Sequence, residues 1–554
     1  MIADRKKLII LGLVALALLF RLFLMPYRFA VGWDEPHYLQ MAASFAAGNW
    51  SGFFHPYWSP GLPLWMGLAN LLIPDVELAG RLTTMLLGSL IVAPIYLLAH
   101  ALCGKHVAFW AGVFAALHPS LAFAQTAPLA EPAYMFFGFL GLWLGWQALQ
   151  KSRWGFAIAA GLCWGFSYLA KPEGTGFLLV FAAFAIGRAV ADFFSHRRAP
   201  SLLAIAAAGI GFLVAASPYL IYLHKQAGHW TLSAKGAANQ QFEATFFTAE
   251  NDDFFESLSP DNKTLPVDAI FHTGTFLQQA KKNEVPKVEI SAGLIARKYA
   301  TNFFRVLKYG LPQMLSLLLI VLFGLGLLAA PWQREETPLA VYLLAVLIFY
   351  WLVMVPFFHI TERYLMAMLP LAGIWIARGL LGLAEWLNGT MHAVFSRAFS
   401  QRQTITLAVL SLAFLFWLPE MGKVTAQRPE GFGEWGDAVE LKEAGKWLRH
   451  NAEQQPPIVM SYNKAVDFYA GNYDVRSGVS FSRDSLPRQI EYARHRQARY
   501  VVVSERYLKL FPVWQQALEA PNSELKLLYK TGNTIAPKAY VFEIVPQPVE
   551  NAGN

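Results

Sequence analysis

The chain has 554 residues, of which 55% are hydrophobic and 15% charged, with a formal net charge of +8. An ordinary soluble domain carries roughly 25% charged residues, so this chain cannot cover its apolar surface with polar groups and lipid must solvate much of it. A basic balance ordinarily points to nucleic acid, but in membrane proteins Lys and Arg collect in cytoplasmic loops for reasons of topology, so nucleic acid is not the expected partner. Only two cysteines occur, Cys103 and Cys163. They lie far apart, with no disulfide framework and no metal-ligand spacing.

In chain order, the first apolar run is Leu8–Met25, preceded by Arg5, Lys6 and Lys7. No small-residue cleavage site follows it, so it reads as a retained helix rather than a signal peptide. Further runs long enough to cross a bilayer lie at Leu78–Ala99, Val107–Leu121, Pro132–Leu149, Phe156–Leu169, Phe177–Val190 and Leu202–Leu223. Four more follow at Leu311–Leu328, Leu339–Val355, Leu365–Leu383 and Ile405–Leu418. The expected fold is a polytopic α-helical membrane protein of about eleven transmembrane helices. With the first basic cluster in the cytoplasm, Lys105, Lys151, Arg153, Arg197, Arg198, Arg334, Arg397 and Arg402 all fall in cytoplasmic loops. The segment 224–308 and everything after Pro419 are then extracytoplasmic.

The first external loop, 26–77, is rich in Trp and Tyr, which settle at membrane interfaces. Two interfacial helices are expected in it. One spans Pro36–Ala47 and ends at Gly48-Asn49; the other spans Leu62–Leu72. The tail, 421–554, reads as a small soluble α/β domain. Asp437–His450 has helical periodicity. Pro457–Ser461, Arg499–Ser504, Leu525–Lys530 and Tyr540–Val545 read as strands. The expected division is thus a membrane domain over 1–420 and the tail domain. No nucleotide-binding fingerprint or DxD metal motif occurs.

Charged residues recur on one rim of the bundle. Asp34 and Glu35 open the first interfacial helix, where a cap or a helix-dipole role is the plain structural explanation. Their neighbours Trp33, Pro36, His37 and Tyr38 place them at lipid depth, where a carboxylate needs a partner or a task. Glu131 begins a span, and a helix-start acid explains it equally well. Lys171 and Glu173 share a tight turn, where a surface salt bridge is the simple reading. Glu362, Arg363 and Tyr364 sit in His359-Ile-Thr-Glu-Arg-Tyr, a short outer turn. Outer loops disfavour cations, yet Arg21, Arg28, Arg81, Lys171 and Arg363 all fall there, alternating with acids. Such a rim suits a phosphate whose tail stays in the bilayer, with a carboxylate to accept a hydroxyl proton.

These motifs resemble the C-type superfamily of membrane glycosyltransferases, the protein O-mannosyltransferases and lipid A aminoarabinose transferases in particular. Asp34-Glu35-Pro36-His37-Tyr38 is similar to that group's acidic motif. His55-Pro56-Tyr57-Trp58-Ser59-Pro60-Gly61 resembles its proline-rich second surface helix. Ala130-Glu131-Pro132, Lys171-Pro172-Glu173-Gly174 and Arg363-Tyr364 resemble its later motifs. The segment 224–308 matches none of them, and no inserted sugar-binding repeat domain is seen.

The resemblance implies a bacterial inner-membrane enzyme. It would move a sugar from a polyprenyl-phosphate donor to a hydroxyl of a lipid, glycan or protein on the periplasmic side, with inversion. Asp34 would be the base, with Glu35 or Glu131 orienting the acceptor. Lys171 and Arg363, with Arg81 and Tyr364, would hold the donor phosphate. His37, Tyr38, His55, Glu173 and His359 would contact substrate. No cofactor is expected, and a divalent metal is left open. The rival readings are a multi-span transporter and an O-antigen polymerase or ligase.

Overall fold

In a computed structural model of the chain, the described residues are 2–151, 153–194, 201–236, 238, 254–281, 291–328, 332–357, 360–395, 401–426, 437–520, 523–532 and 537–546. They divide into two compact units. One comprises Met1–Tyr27, Arg81–Ile221 and Ser291–Ala426; the other comprises Arg28–Gly80, Tyr222–Ile290 and Gln427–Asn554.

The first unit is helical. Among the described residues, seven helices are long and apolar enough to cross a membrane: Arg5–Tyr27, Val76–Leu117, Pro172–Ala191, Leu202–Ala227, Ala292–Leu328, Thr337–Phe357 and Thr406–Thr425. The protein is therefore a multi-pass membrane protein. Leu8, Leu11 and Leu19 are 67%, 65% and 64% exposed on the first helix, a display that only lipid solvates without penalty. The long Val76–Leu117 stretch breaks at Gly104, where φ is 78°. Lacking a Cβ, glycine enters this region without strain. The break falls between the two spans expected from the sequence. Three other expected spans appear as the helices Glu131–Lys151, Trp154–Ala170 and Leu369–Phe395, outside the seven. The shortest of these has only 17 residues.

Glycines let these helices close on one another, as small residues do within bilayers. A Cβ at Gly326 would lie 1.9 Å from the Trp375 carbonyl, and one at Gly379 would lie 1.9 Å from that of Leu322. The helices Leu311–Leu328 and Leu369–Phe395 thus meet backbone to backbone. Gly161 and Gly211 serve the same purpose against Ala208 and Ile158. Gly379→Leu is expected to destabilise the protein by about 1–3 kcal/mol through overpacking, read as a lowered thermal midpoint in detergent. Gly382→Leu, where a Cβ would meet nothing within 4 Å, should leave the midpoint unchanged.

The second unit holds a four-stranded sheet in the order β1-β2-β4-β3. Its strands are β1 Val459–Ser461, β2 Tyr500–Ser504, β3 Leu525–Lys530 and β4 Ala539–Ile544, in the four segments read as strands. β1 runs parallel to β2, and the crossover carries the helix Leu486–His495. β2 and β3 each pair antiparallel with β4. Val459, Met460, Val501, Val541, Ile490 and Trp514 fill the core. Leu258 and Leu265, from the segment that no motif accounts for, belong to that same core, and Trp33 packs against it.

The first loop contributes helices Glu35–Ala46 and Gly61–Asn70 to this unit. Gly48, at φ +72°, terminates the first of them in a left-handed cap. The loop is tied down by polar contacts: Val31 N donates to Tyr469 Oη at 3.0 Å, Gln40 Nε2 to the Asn472 carbonyl at 2.7 Å, and Phe29 N to Asp437 Oδ2 at 2.6 Å.

Candidate active site

In the helical unit, Glu131 is the first residue of the helix Glu131–Lys151 and is buried. Lys171 ends the preceding helix in extended conformation, with φ −147° and ψ 134°. A one-turn 3-10 helix, Pro172–Gly174, follows. Gly174 is required there, because a Cβ would lie 2.4 Å from the Ser167 carbonyl carbon. This turn folds Lys171 back along its own helix, where Lys171 Nζ donates to Glu131 Oε1 at 3.0 Å. The short helix Glu362–Met366 brings in Arg363, whose Nε lies 2.9 Å from the same Glu131 oxygen. Tyr364 completes the group: Lys171 Nζ sits 4.0 Å above its ring and Arg363 Cζ 5.4 Å from it. Tyr350 Oη donates to the Glu173 carbonyl at 2.8 Å and braces the turn.

The Lys171–Glu131 pair is therefore buried rather than a surface salt bridge. Glu131 is shared by two cations, and the Glu173 carboxylate also acts on Lys171. Glu131 Oε2 has no hydrogen-bond partner among the described residues. A cavity of only about 20 Å³ touches Glu131 and Arg363 and is otherwise walled mainly by apolar side chains, Leu121, Leu129, Met135 and Met366 among them.

The other rim cations have contacts of their own. Arg21 is fully buried and donates to Gln125 Oε1 through Nε at 2.7 Å and to the Ala17 carbonyl at 2.8 Å. Arg28 belongs to the second unit, where it lies 3.7 Å from Asp437. Arg81, also buried, donates to the Thr126 carbonyl at 3.5 Å. His359 lies outside the described residues.

In the second unit, Asp34 occupies the N-cap position of the helix Glu35–Ala46, yet its side chain makes no capping hydrogen bond. The capping explanation of this residue thus fails in the structure. Asp34 is half-buried, whereas Glu35, His37 and Tyr38 are buried. His37 lies in a stack of rings, 4.3 Å from Trp58 and 5.3 Å from His272. Its ring nitrogens make no well-formed hydrogen bond among the described residues, although backbone groups of Trp33 and Asp34 act on the ring. Burial pushes His37 down to about 4, against the opposing pull of Asp34.

His55 accepts from the backbone N–H groups of Tyr57 and Trp58 at 3.1 and 3.2 Å through Nδ1. The neutral ring therefore carries its proton on Nε2 and donates it to the His272 carbonyl at 2.9 Å. Burial pushes His55 down to about 3 and His272 well below its ordinary value. All three rings are neutral at pH 7.

Sequence reasoning missed Asp268, His272 and Lys235. Asp268 accepts from Ser480 N with both oxygens at 3.1 Å and from Tyr492 Oη at 2.7 Å. It holds the helix Pro266–Phe271 against the sheet domain, and that helix aims His272 at His37. The i, i+4 spacing of Asp268 and His272 was the available signal, but it lies in a segment without a recognised motif. Lys235 Nζ sits 5.0 and 5.4 Å over the rings of Tyr57 and Trp58. Among the described residues no group of three or more His, Cys, Asp or Glu is arranged to hold a metal ion.

Comparison with known proteins adds the following. Residues 55–222 match the family model described as dolichyl-phosphate-mannose-protein mannosyltransferase. A curated relative, dolichyl-phosphooligosaccharide-protein glycotransferase 2 of Pyrococcus furiosus, is 26% identical over 238 residues, which cover 38% of this chain and 31% of that protein. The match thus spans about a third of the relative's length. ArnT from Cupriavidus metallidurans, solved bound to undecaprenyl phosphate, superposes with a TM-score of 0.53 at 14% identity, over 96% of this chain and 97% of its own. The oligosaccharyltransferase AglB of Archaeoglobus fulgidus, solved with an inhibitory peptide and a dolichol-phosphate, gives a TM-score of 0.51 at 12% identity. That superposition covers 98% of this chain and 75% of AglB.

Proposed function

We propose that this chain, a member of the C-type superfamily of membrane glycosyltransferases by its fold and its matched segment, moves a sugar from a polyprenyl-phosphate donor to an acceptor hydroxyl. The single observation that carries the reading is the convergence of Lys171, Arg363 and Tyr364 on Glu131 beside an apolar-walled cavity. Two cations meet at a helix end, where a lipid phosphate can reach them while its chain stays in hydrocarbon. The undecaprenyl phosphate bound to ArnT and the dolichol-phosphate bound to AglB support a ligand of this class.

In the proposed step, Asp34 accepts the proton of the acceptor hydroxyl, and the oxygen attacks the anomeric carbon. The bond from that carbon to the phosphate oxygen breaks with inversion, and the lipid phosphate leaves with the bonding electron pair. Lys171 and Arg363 offset the charge that grows on it. Glu131 is a positioning residue: it holds both cations at one point before the donor arrives, so less ordering remains for the bound state. No step needs a metal. The bundle has about eleven spans in a bacterial inner membrane, with this chemistry on the extracytoplasmic face. The acceptor is a lipid or glycan hydroxyl, or a protein.

The test is purified protein with a radiolabelled polyprenyl-phosphate sugar, offered lipid A and a hydroxyl-bearing peptide in separate arms. Transfer to either acceptor, with release of the polyprenyl phosphate, is expected. A protein that neither transfers nor hydrolyses the donor, but carries it across proteoliposomes, is a transporter, and the reading fails.

A further inference from the structure

The helix Ala292–Arg305, with the π-helical turn Val306–Gly310 after it, leads into the apolar helix Leu311–Leu328, which breaks at Ser316, where φ is 60°. The whole stretch has 37 residues, more than a hydrocarbon core of about 30 Å needs at about 1.5 Å per residue. From Tyr309 to Leu328 no charged residue occurs, so those residues suffice for the crossing. Residues 292–308 are left at headgroup level.

This half carries Arg297, Lys298, Arg305 and Lys308 and no acid. Its two sides differ. Tyr299 Oη donates to the Leu352 carbonyl at 2.7 Å and Asn302 Nδ2 to the Pro356 carbonyl at 3.1 Å, while Val306 is fully buried. These three define the side against the protein. Arg297, Arg305 and Lys308 are exposed; at α-helical spacing Arg297 and Arg305 fall about 80° apart, away from that side, and Lys308 follows on the π-helical turn. No carboxylate pairs with any of them among the described residues. Phe304, 67% exposed, and Tyr309, 58% exposed, flank them. On the orientation proposed above this end faces the extracytoplasmic side, where topology disfavours cations.

We propose that this face is a docking site for the phosphate headgroups of acidic phospholipids, phosphatidylglycerol being the type. The aromatic rings enter the acyl boundary and the guanidinium and ammonium groups take the phosphates.

The test uses the full chain in nanodiscs of equal parts phosphatidylcholine and phosphatidylglycerol, with the lipids retained after mild delipidation measured by mass spectrometry. Wild type should retain phosphatidylglycerol preferentially. The triple variant Arg297→Gln, Arg305→Gln and Lys308→Gln should lose most of that preference, at roughly fivefold per cation. A charge-keeping triple, Arg297→Lys, Arg305→Lys and Lys308→Arg, should retain it and controls for folding. Equal retention of both lipids by wild type, or an unchanged preference in the glutamine variant, overturns the proposal. The readout needs neither donor nor acceptor, so it is independent of the transfer reaction.

Discussion

Asp34→Asn is expected to lower the rate of sugar transfer by about 10²–10⁴-fold, the usual worth of a general base, with the protein still folded. The substitution separates two roles. Asparagine is about as good an N-cap as aspartate, and the Asp34 side chain makes no capping bond in any case, so the helix Glu35–Ala46 has nothing to lose. Asparagine cannot accept a proton at neutral pH, so a base at this position fails completely. Glu35→Gln is the control. Glu35 is only 5% exposed, whereas Asp34 is half-buried and accessible to an incoming hydroxyl. His37, the other group able to take a proton here, is neutral but enclosed between Trp58 and His272. The measurement is single-turnover transfer from a synthetic donor, alongside a thermal midpoint for each variant. Full activity in Asp34→Asn with loss in Glu35→Gln would move the base by one residue. Full activity in both would remove this loop from the chemistry.

Lys171→Ala and Arg363→Ala are each expected to raise the KM for the lipid-linked donor about tenfold to a hundredfold, leaving the acceptor KM nearly unchanged. A charge-assisted hydrogen bond contributes about 1.5–3 kcal/mol, which sets that range. Lys171 should show the larger effect, because its side chain is 10% exposed against 32% for Arg363, and solvent screens the more exposed charge. Glu131→Gln distinguishes positioning from direct contact. It removes the negative charge that gathers the cations but leaves both of them present, so donor affinity should fall less than in Lys171→Ala. Lys171→Arg should restore part of the loss if a phosphate is the ligand, since arginine also binds phosphate. Wild-type donor kinetics in both alanine variants would make this triad a structural ion-pair group.

Much of the architecture is written in local patterns. Apolar runs of membrane-spanning length and short apolar strands such as Tyr-Val-Val-Val-Ser at 500–504, buried throughout, depend on neighbouring residues alone. Their elements therefore appear where the chain predicts them. Gly48 and Gly104 likewise announce their breaks, because only glycine adopts their backbone angles without strain. The motif residues Glu131, Lys171 and Arg363 were also legible as candidates, by type and by position on one rim.

What the chain alone left open was partnership. Glu131 stood as a helix-start acid or an acceptor-orienting group, and only the fold shows that Lys171 and Arg363 meet it, at 3.0 and 2.9 Å. Arg363 comes from more than two hundred residues further along, and no local pattern encodes that meeting. It depends on which helices pack together, which is set by side-chain shape and by close approaches such as Gly326 against Trp375. The same holds for Asp268 and His272, whose segment has no motif and gains meaning only once buried against Ser480, Tyr492 and His37. Burial is a property of the packed whole, and it is burial that turns these ordinary polar residues into neutral rings and paired charges.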